Sequence, residues 1–92
     1  MTTSVKSTNL QAMFNALGDS TRYKIVKLLK SKPELCVSVV ADTIGISTAG
    51  VSQHMKVLEQ SGLVRPQRMG QKTCYRLQAD DDSNKTLLKL IK

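Results

Sequence analysis

Gly45-Ile46-Ser47 constrains this chain more than any other three residues in it. The stretch before it, Glu34 to Ile44, is rich enough in β-branched residues to suit either a strand or a helix. The glycine that follows closes a helix, and Ser47 is placed to cap the next one. From Thr48 to Ser61 the apolar positions Val51, Met55 and Leu58 recur at helical spacing, and Gly62 ends the run. Two helices joined by so short a connection make a helix-turn-helix. After Gly62 the period changes. Leu63–Met69 and Lys72–Leu77 flank Gly70-Gln71 and read as a β-hairpin with a glycine turn. Pro66 cannot donate to a ladder, so the first of these strands is an edge. In the second, Thr73, Tyr75 and Leu77 share one face and Lys72, Cys74 and Arg76 the other.

Upstream, a helical stripe of Leu10, Met13, Phe14 and Leu17 starts from Thr8 and stops at Gly18. Asp19 fits an N-cap for a helix from Ser20 to about Ser31. That helix puts Tyr23, Ile25, Val26, Leu28 and Leu29 inside and Arg22, Lys24, Lys27 and Lys30 mainly outside, and Pro33 forbids its continuation. Downstream, Asp80-Asp81-Asp82-Ser83 precedes a helix over Asn84–Lys92, and acids there suit the helix dipole. Its stripe is Leu87, Leu88, Leu90 and Ile91; about two or three turns is marginal alone, so it must dock on something. The order α-α-α-α-β-β-α is that of a winged helix-turn-helix, mostly α with a small β-hairpin. The expected organisation is a flexible N-terminus (1–7), a winged helix-turn-helix DNA-binding domain (8–79) and a C-terminal dimerisation helix (80–92). With 92 residues there is room for one domain.

Charge points to the partner. Fourteen Lys and Arg against seven Asp and Glu give +7. Residues 1–79 hold eleven of the basic and four of the acidic side chains, hence the whole excess. A body this basic fits a polyanion, nucleic acid before an acidic membrane surface. Phe14, Tyr23 and Tyr75 are the only aromatics, too few for a single-strand binder that stacks bases. The second helix of a helix-turn-helix fits a major groove about 12 Å wide. If Val51, Met55 and Leu58 face the core, Thr48, Ala49, Ser52, Gln53 and Lys56 face away, next to the capping Ser47. Gln53 can pair with adenine in bidentate fashion, Thr48 and Ser52 can bond base edges or phosphates, Ala49 can touch a thymine methyl, and Lys56 suits a phosphate. The wing supplies Arg68, Gln71 and Lys72 at its tip, with Arg65 and Arg76 nearer its base.

Four motifs now stand in order: Phe14-x-Ala-Leu-Gly-Asp-x-Thr-Arg22; Glu34-Leu-Cys-Val37; Ser47-x-x-x-Val-Ser-Gln-His-Met-Lys-Val-Leu-x-x-Ser-Gly-Leu-Val64; and Gly70-x-Lys-x-x-Tyr-Arg-Leu77. Over roughly residues 9–78 the chain resembles the ArsR/SmtB family of bacterial and archaeal winged-helix repressors. The resemblance implies a homodimer that binds a palindromic operator in double-stranded DNA and represses transcription. It places the first and last helices in the dimer interface, and so Leu10, Met13, Phe14, Leu17, Leu87, Leu88, Leu90 and Ile91. The chain also departs from the family. Many metal-sensing members carry Cys-Val-Cys where this one has Cys36-Val37-Ser38, and the final helix has no histidine. A thiolate site needs three or four ligands, and Cys36 alone is one. His54 matches a structural position of the family and reads as a packed, hydrogen-bonded side chain. No cofactor and no metal is expected, and the inducer is unknown. Three readings of the signal stay open: a metal-independent member, constitutive or tuned by a small ligand; thiol sensing through Cys36 or Cys74, the latter activated by Lys72 and Arg76; or a metal site completed by the partner subunit.

Other classes fit poorly. No Ser/His/Asp set, phosphate loop or His-Glu-x-x-His appears, so no enzyme is expected. A winged-helix module that docks on protein is the alternative to DNA binding. No apolar run could span a bilayer, the first residues lack the apolar core of a secretory signal, and two cysteines 38 positions apart are too few for a disulfide scaffold. A reducing cytoplasm, with no membrane partner, is the expected setting.

Overall fold

A computed structural model describes residues 2–79 and 82–91, with side chains from Leu10 onward except that of Ser83. The elements are α1 (Thr2–Leu17), α2 (Ser20–Ser31), β1 (Leu35–Cys36), α3 (Val37–Ile44), α4 (Thr48–Gln60), β2 (Val64–Met69), β3 (Lys72–Leu77) and α5 (Asp82–Leu90). Asp80 and Asp81, read above as dipole-favouring acids, lie outside the described residues, as does Lys92.

The connection between α3 and α4 follows from its residues. Gly45 has φ +86°, which an L side chain rarely adopts, and its amide and that of Ile46 both bond the Ala41 carbonyl, at 2.8 and 3.2 Å. Ser47 then accepts a hydrogen bond at its Oγ from the Gly50 amide at 3.0 Å. Asp19 does the same for α2, its Oδ2 accepting from the Arg22 amide at 3.0 Å. The hairpin turns on Gly70, φ +66°, with Met69 opposite Lys72. Positive φ at the first of two central residues alone is the type II′ pattern, which matches the twist of paired strands.

Three differences from the sequence reading have physical causes. First, α1 begins at Thr2, inside the segment 1–7 expected to be irregular. Its residues carry no apolar period to announce a helix, yet extending an existing helix costs far less than starting one. Second, the sheet has a third strand. β1, two residues long, pairs antiparallel with β3, giving the order β1-β3-β2 and leaving Pro66 on the edge strand. Third, that pairing sets Cys36 opposite Cys74, and the two are joined in a disulfide. The expectation of two separate thiols is thereby corrected.

The core lies where α2, α3 and α4 meet the sheet. Ile25, Val26 and Leu29 of α2, Val40 of α3 and Val51, Met55 and Leu58 of α4 are all buried, with Leu63 and Val64. Full burial of each such side chain stabilises the fold by about 1.5–3 kcal/mol. Tyr23, expected inside, is instead exposed, and Leu28 is half-buried. α5 docks through Leu87, Leu88 and Ile91, all buried. Two polar contacts fix it. Lys30 donates to the carbonyls of Leu88, at 2.7 Å, and Ile91. Asn84, buried, donates through Nδ2 to the carbonyl of Gly62 at 2.8 Å and to that of Gln78. Replacing Asn84 by alanine strips a donor from two carbonyls at the α5 junction. A loss of ~1–3 kcal/mol is expected, read as a lower urea midpoint at unchanged slope.

Candidate nucleic-acid interface

The polar face of α4 is where the apolar stripe left it. With Val51, Met55 and Leu58 buried, Thr48, Ala49, Gln53 and Lys56 are exposed and Ser52 is half-buried. Ser47 is exposed too, but its Oγ is engaged in capping α4. In the hairpin, Arg65, Arg68, Gln71 and Lys72 are all exposed, as is Arg76. The register puts Arg65 directly opposite Arg76, so two cations share the outward face near the wing's base.

These two surfaces converge. Thr48 and Ser52 of α4, Lys72 and Thr73 of β3, and Cys36, Val37 and Ser38 around the start of α3 line one cleft of about 260 Å³. Its rim offers hydroxyls and an ammonium, and the first amides of α3 lie beside it. Hydroxyls, cations and helix N-termini are the groups that bind backbone phosphates. Sequence reasoning placed Thr48, Ser52 and Lys72 here but missed Ser38 and Thr73. Ser38 was visible only as the residue replacing a family cysteine, and Thr73 as a member of the opposite strand face.

Behind α4, a polar knot holds the recognition helix to α1 and α2. Arg22 Nε donates to the Ala16 carbonyl at 2.7 Å, which caps the end of α1, and Nη1 lies 3.3 Å from His54 Nδ1. A guanidinium only donates, so a hydrogen bond here requires Nδ1 as the acceptor. His54 Nδ1 also lies 3.9 Å from Asp19 Oδ2. The hydrogen bond from the Arg22 amide holds the Asp19 carboxyl below the usual carboxylate range; partial desolvation opposes this and the Arg22 charge reinforces it. The packed, hydrogen-bonded role read for His54 fits this geometry. Arg22, assigned to the outside of α2, instead turns inward, because the end of α1 and the His54 ring on α4 lie within its reach.

The expected dimer residues divide into two groups. Met13, Leu87, Leu88 and Ile91 are buried within the chain's own core. Leu10 and Leu17 are half-buried against it, and Phe14 and Leu90 are exposed at 55% and 66%. The stripes of α1 and α5 were therefore read too broadly: most of each packs inward, and two large apolar side chains remain outside.

Among the described residues no three His, Cys, Asp or Glu side chains gather as a metal set. The donors at the start of α3 do not fit a thiolate metal site, since Cys36 is bonded to Cys74 and residue 38 is serine. No helix among them is long and apolar enough to cross a membrane.

Comparison with known proteins agrees with this architecture. A family profile described as a helix-turn-helix domain matches residues 17–67. The chain is 40% identical over 76 residues to a homolog of the cadmium resistance transcriptional regulatory protein CadC from Staphylococcus aureus. The match takes in 83% of this chain and 61% of that protein, so the chain falls well short of the relative's full length. It is 32% identical over 79 residues, 86% of each chain, to an HTH-type transcriptional regulator of Methanocaldococcus jannaschii. Among solved structures it is similar to the homodimeric winged helix-turn-helix DNA-binding domain of Mb0332, a possible ArsR-family regulator from Mycobacterium bovis. There the TM-score is 0.80 at 24% identity, covering 96% of this chain and 79% of that one, a likeness of fold.

Proposed function

The chain belongs to the ArsR family of winged helix-turn-helix transcriptional regulators, and from that premise we propose that it is a repressor acting as a homodimer on a palindromic operator in double-stranded DNA. One observation carries the reading: the exposed polar face of α4 and the basic wing border a single cleft. In this reading α4 enters the major groove. Gln53 reads adenine through N6 and N7, and Ala49 and the Thr48 methyl meet thymine methyls. Lys56, Arg65, Arg68 and Lys72 hold phosphates and set the register without reading sequence. The cleft between Ser52, Lys72 and Thr73 seats one of those phosphates. The interface residues of the dimer are Phe14 and Leu90, flanked by Leu10 and Leu17.

Selection from a random duplex library tests this directly. Enrichment of an inverted repeat with half-site centres ~34–36 Å apart is expected, and a library that comes through unenriched sinks the proposal. In the selected duplex, Gln53→Ala relaxes preference at one position per half-site by about 1–3 kcal/mol. Lys72→Ala instead weakens all sequences alike and lowers the salt slope by about 2 across the dimer, one contact per subunit. Binding titrations against base-substituted duplexes separate the two patterns.

A further inference from the structure

We propose that Cys36 and Cys74 form a reversible disulfide that fixes the wing against the start of α3, the first helix of the helix-turn-helix, and thereby tightens DNA binding. The inference rests on the DNA-binding reading above and adds its regulation. The two residues are cross-strand partners, and Cys36 lines the cleft that α4 and the wing border. Cys36 ends β1 and is the N-cap residue of α3; Cys74 sits in the middle of β3, the inner strand of the wing. Their bond links the first helix of the helix-turn-helix to the wing. Without it, that edge of the wing is held by a ladder of two residue pairs, Leu35 with Tyr75 and Cys36 with Cys74.

Access is asymmetric, as a switch requires. Cys74 is fully buried, whereas Cys36 is half-buried and lines the cleft beside Thr48, Ser52 and Lys72. A bond serving only as a staple gains nothing from an accessible sulfur; one that must be made and broken needs it. When reduced, Cys36 sits as the N-cap residue of α3, where helix amides favour the thiolate. The oxidant class is a peroxide. The Cys36 thiolate attacks one peroxide oxygen, the O–O bond breaks, and a sulfenic acid forms with release of hydroxide, which takes up a proton as water. The Cys74 sulfur then attacks the Cys36 sulfur, the S–O bond breaks, and a second water leaves. Two thiols and one hydrogen peroxide give one disulfide and two waters, two electrons passing from sulfur to oxygen. A dithiol reverses the step by attack on the accessible Cys36 sulfur, through a mixed disulfide. In the bonded state the wing is already where DNA contact requires it, so less order is lost on binding.

The full chain is treated with hydrogen peroxide, then with dithiothreitol, and followed by three measurements: intact mass with peptide mapping, amide hydrogen exchange over residues 64–77, and affinity for the library-selected duplex. Expected are a reversible loss of two hydrogens at Cys36–Cys74, slower exchange in the wing, and at least about threefold tighter binding when oxidised. Cys36→Ser and Cys74→Ala, as two independent variants, lose the response to peroxide. Failure of the bond to form while the duplex is still bound overturns this inference and leaves the DNA reading standing. So does a bond that forms with wing exchange and affinity unchanged or affinity weakened. A bond that forms and stiffens the wing of a protein binding no duplex in either state overturns the DNA reading and the regulatory claim with it.

Discussion

Raising the salt from ~50 to ~200 mM lowers the affinity for the selected duplex by roughly 10³–10⁵-fold. The expectation comes from counting the exposed cations of α4 and the wing. Lys56 on α4 and Arg65, Arg68 and Lys72 on the wing are exposed. A pair of chains presents each of them twice, so about eight phosphates are neutralised. At about −0.9 per phosphate the logarithmic slope is near −7. Fluorescence anisotropy at five or six salt concentrations measures it. Removing Arg65 and Arg68 together flattens the slope by about 4 across the dimer, with base preference unchanged, because phosphate contacts position without specifying. A slope near zero would instead mark a module whose partner is a protein surface, where a rim charge shifts rates but a polyelectrolyte atmosphere is not displaced.

The parts of the fold legible in the sequence are those dictated by neighbours in the chain. Asp19 and Ser47 cap helices because a short side-chain oxygen finds an amide three residues on, and nothing distant is needed. Gly45 and Gly70 stand where the backbone takes positive φ, so the turns that set α3 against α4 and β2 against β3 were fixed by single residues. The outward face of α4 followed by subtraction once Val51, Met55 and Leu58 were assigned inward. What stayed hidden depends on residues far apart in sequence. β1 is two residues long, below the length at which alternation carries any signal, so neither the third strand nor the Cys36–Cys74 register was visible. Asn84 reads as an ordinary polar residue in a short helix, and only the meeting of Gly62 and Gln78 beside it makes it a clasp. Arg22 and Lys30 look like solvated cations on α2 until helix ends from α1 and α5 arrive with free carbonyls. Long, snorkelling side chains are poor guides to which side of a helix faces out.

Converting Phe14 and Leu90 together to aspartate is expected to split the dimer and cost about 10²–10⁴-fold in operator affinity. Both side chains are more than half exposed in the single chain, so the double variant keeps its own core of Met13, Leu87, Leu88 and Ile91. Its thermal midpoint should stay within a few degrees of the parent's, since exposed positions contribute little to folding. The loss arises elsewhere. Joining two half-site readers makes the second contact intramolecular, and the gain of 10²–10⁴ is forfeited when they come apart. A phenylalanine ring and a leucine left in water on α1 and α5 are the kind of apolar surface that a subunit contact covers. Two like charges placed on each copy oppose that contact without disturbing α4 or the wing. Sedimentation should report a monomer, and the monomer should still prefer its half-site over unrelated duplex, because Gln53 and its neighbours are intact. A double variant that sediments as a dimer with parental affinity would move the interface off α1 and α5. One that becomes monomeric with no loss of affinity would show that a single wing and helix suffice, and the operator would then need no inverted repeat.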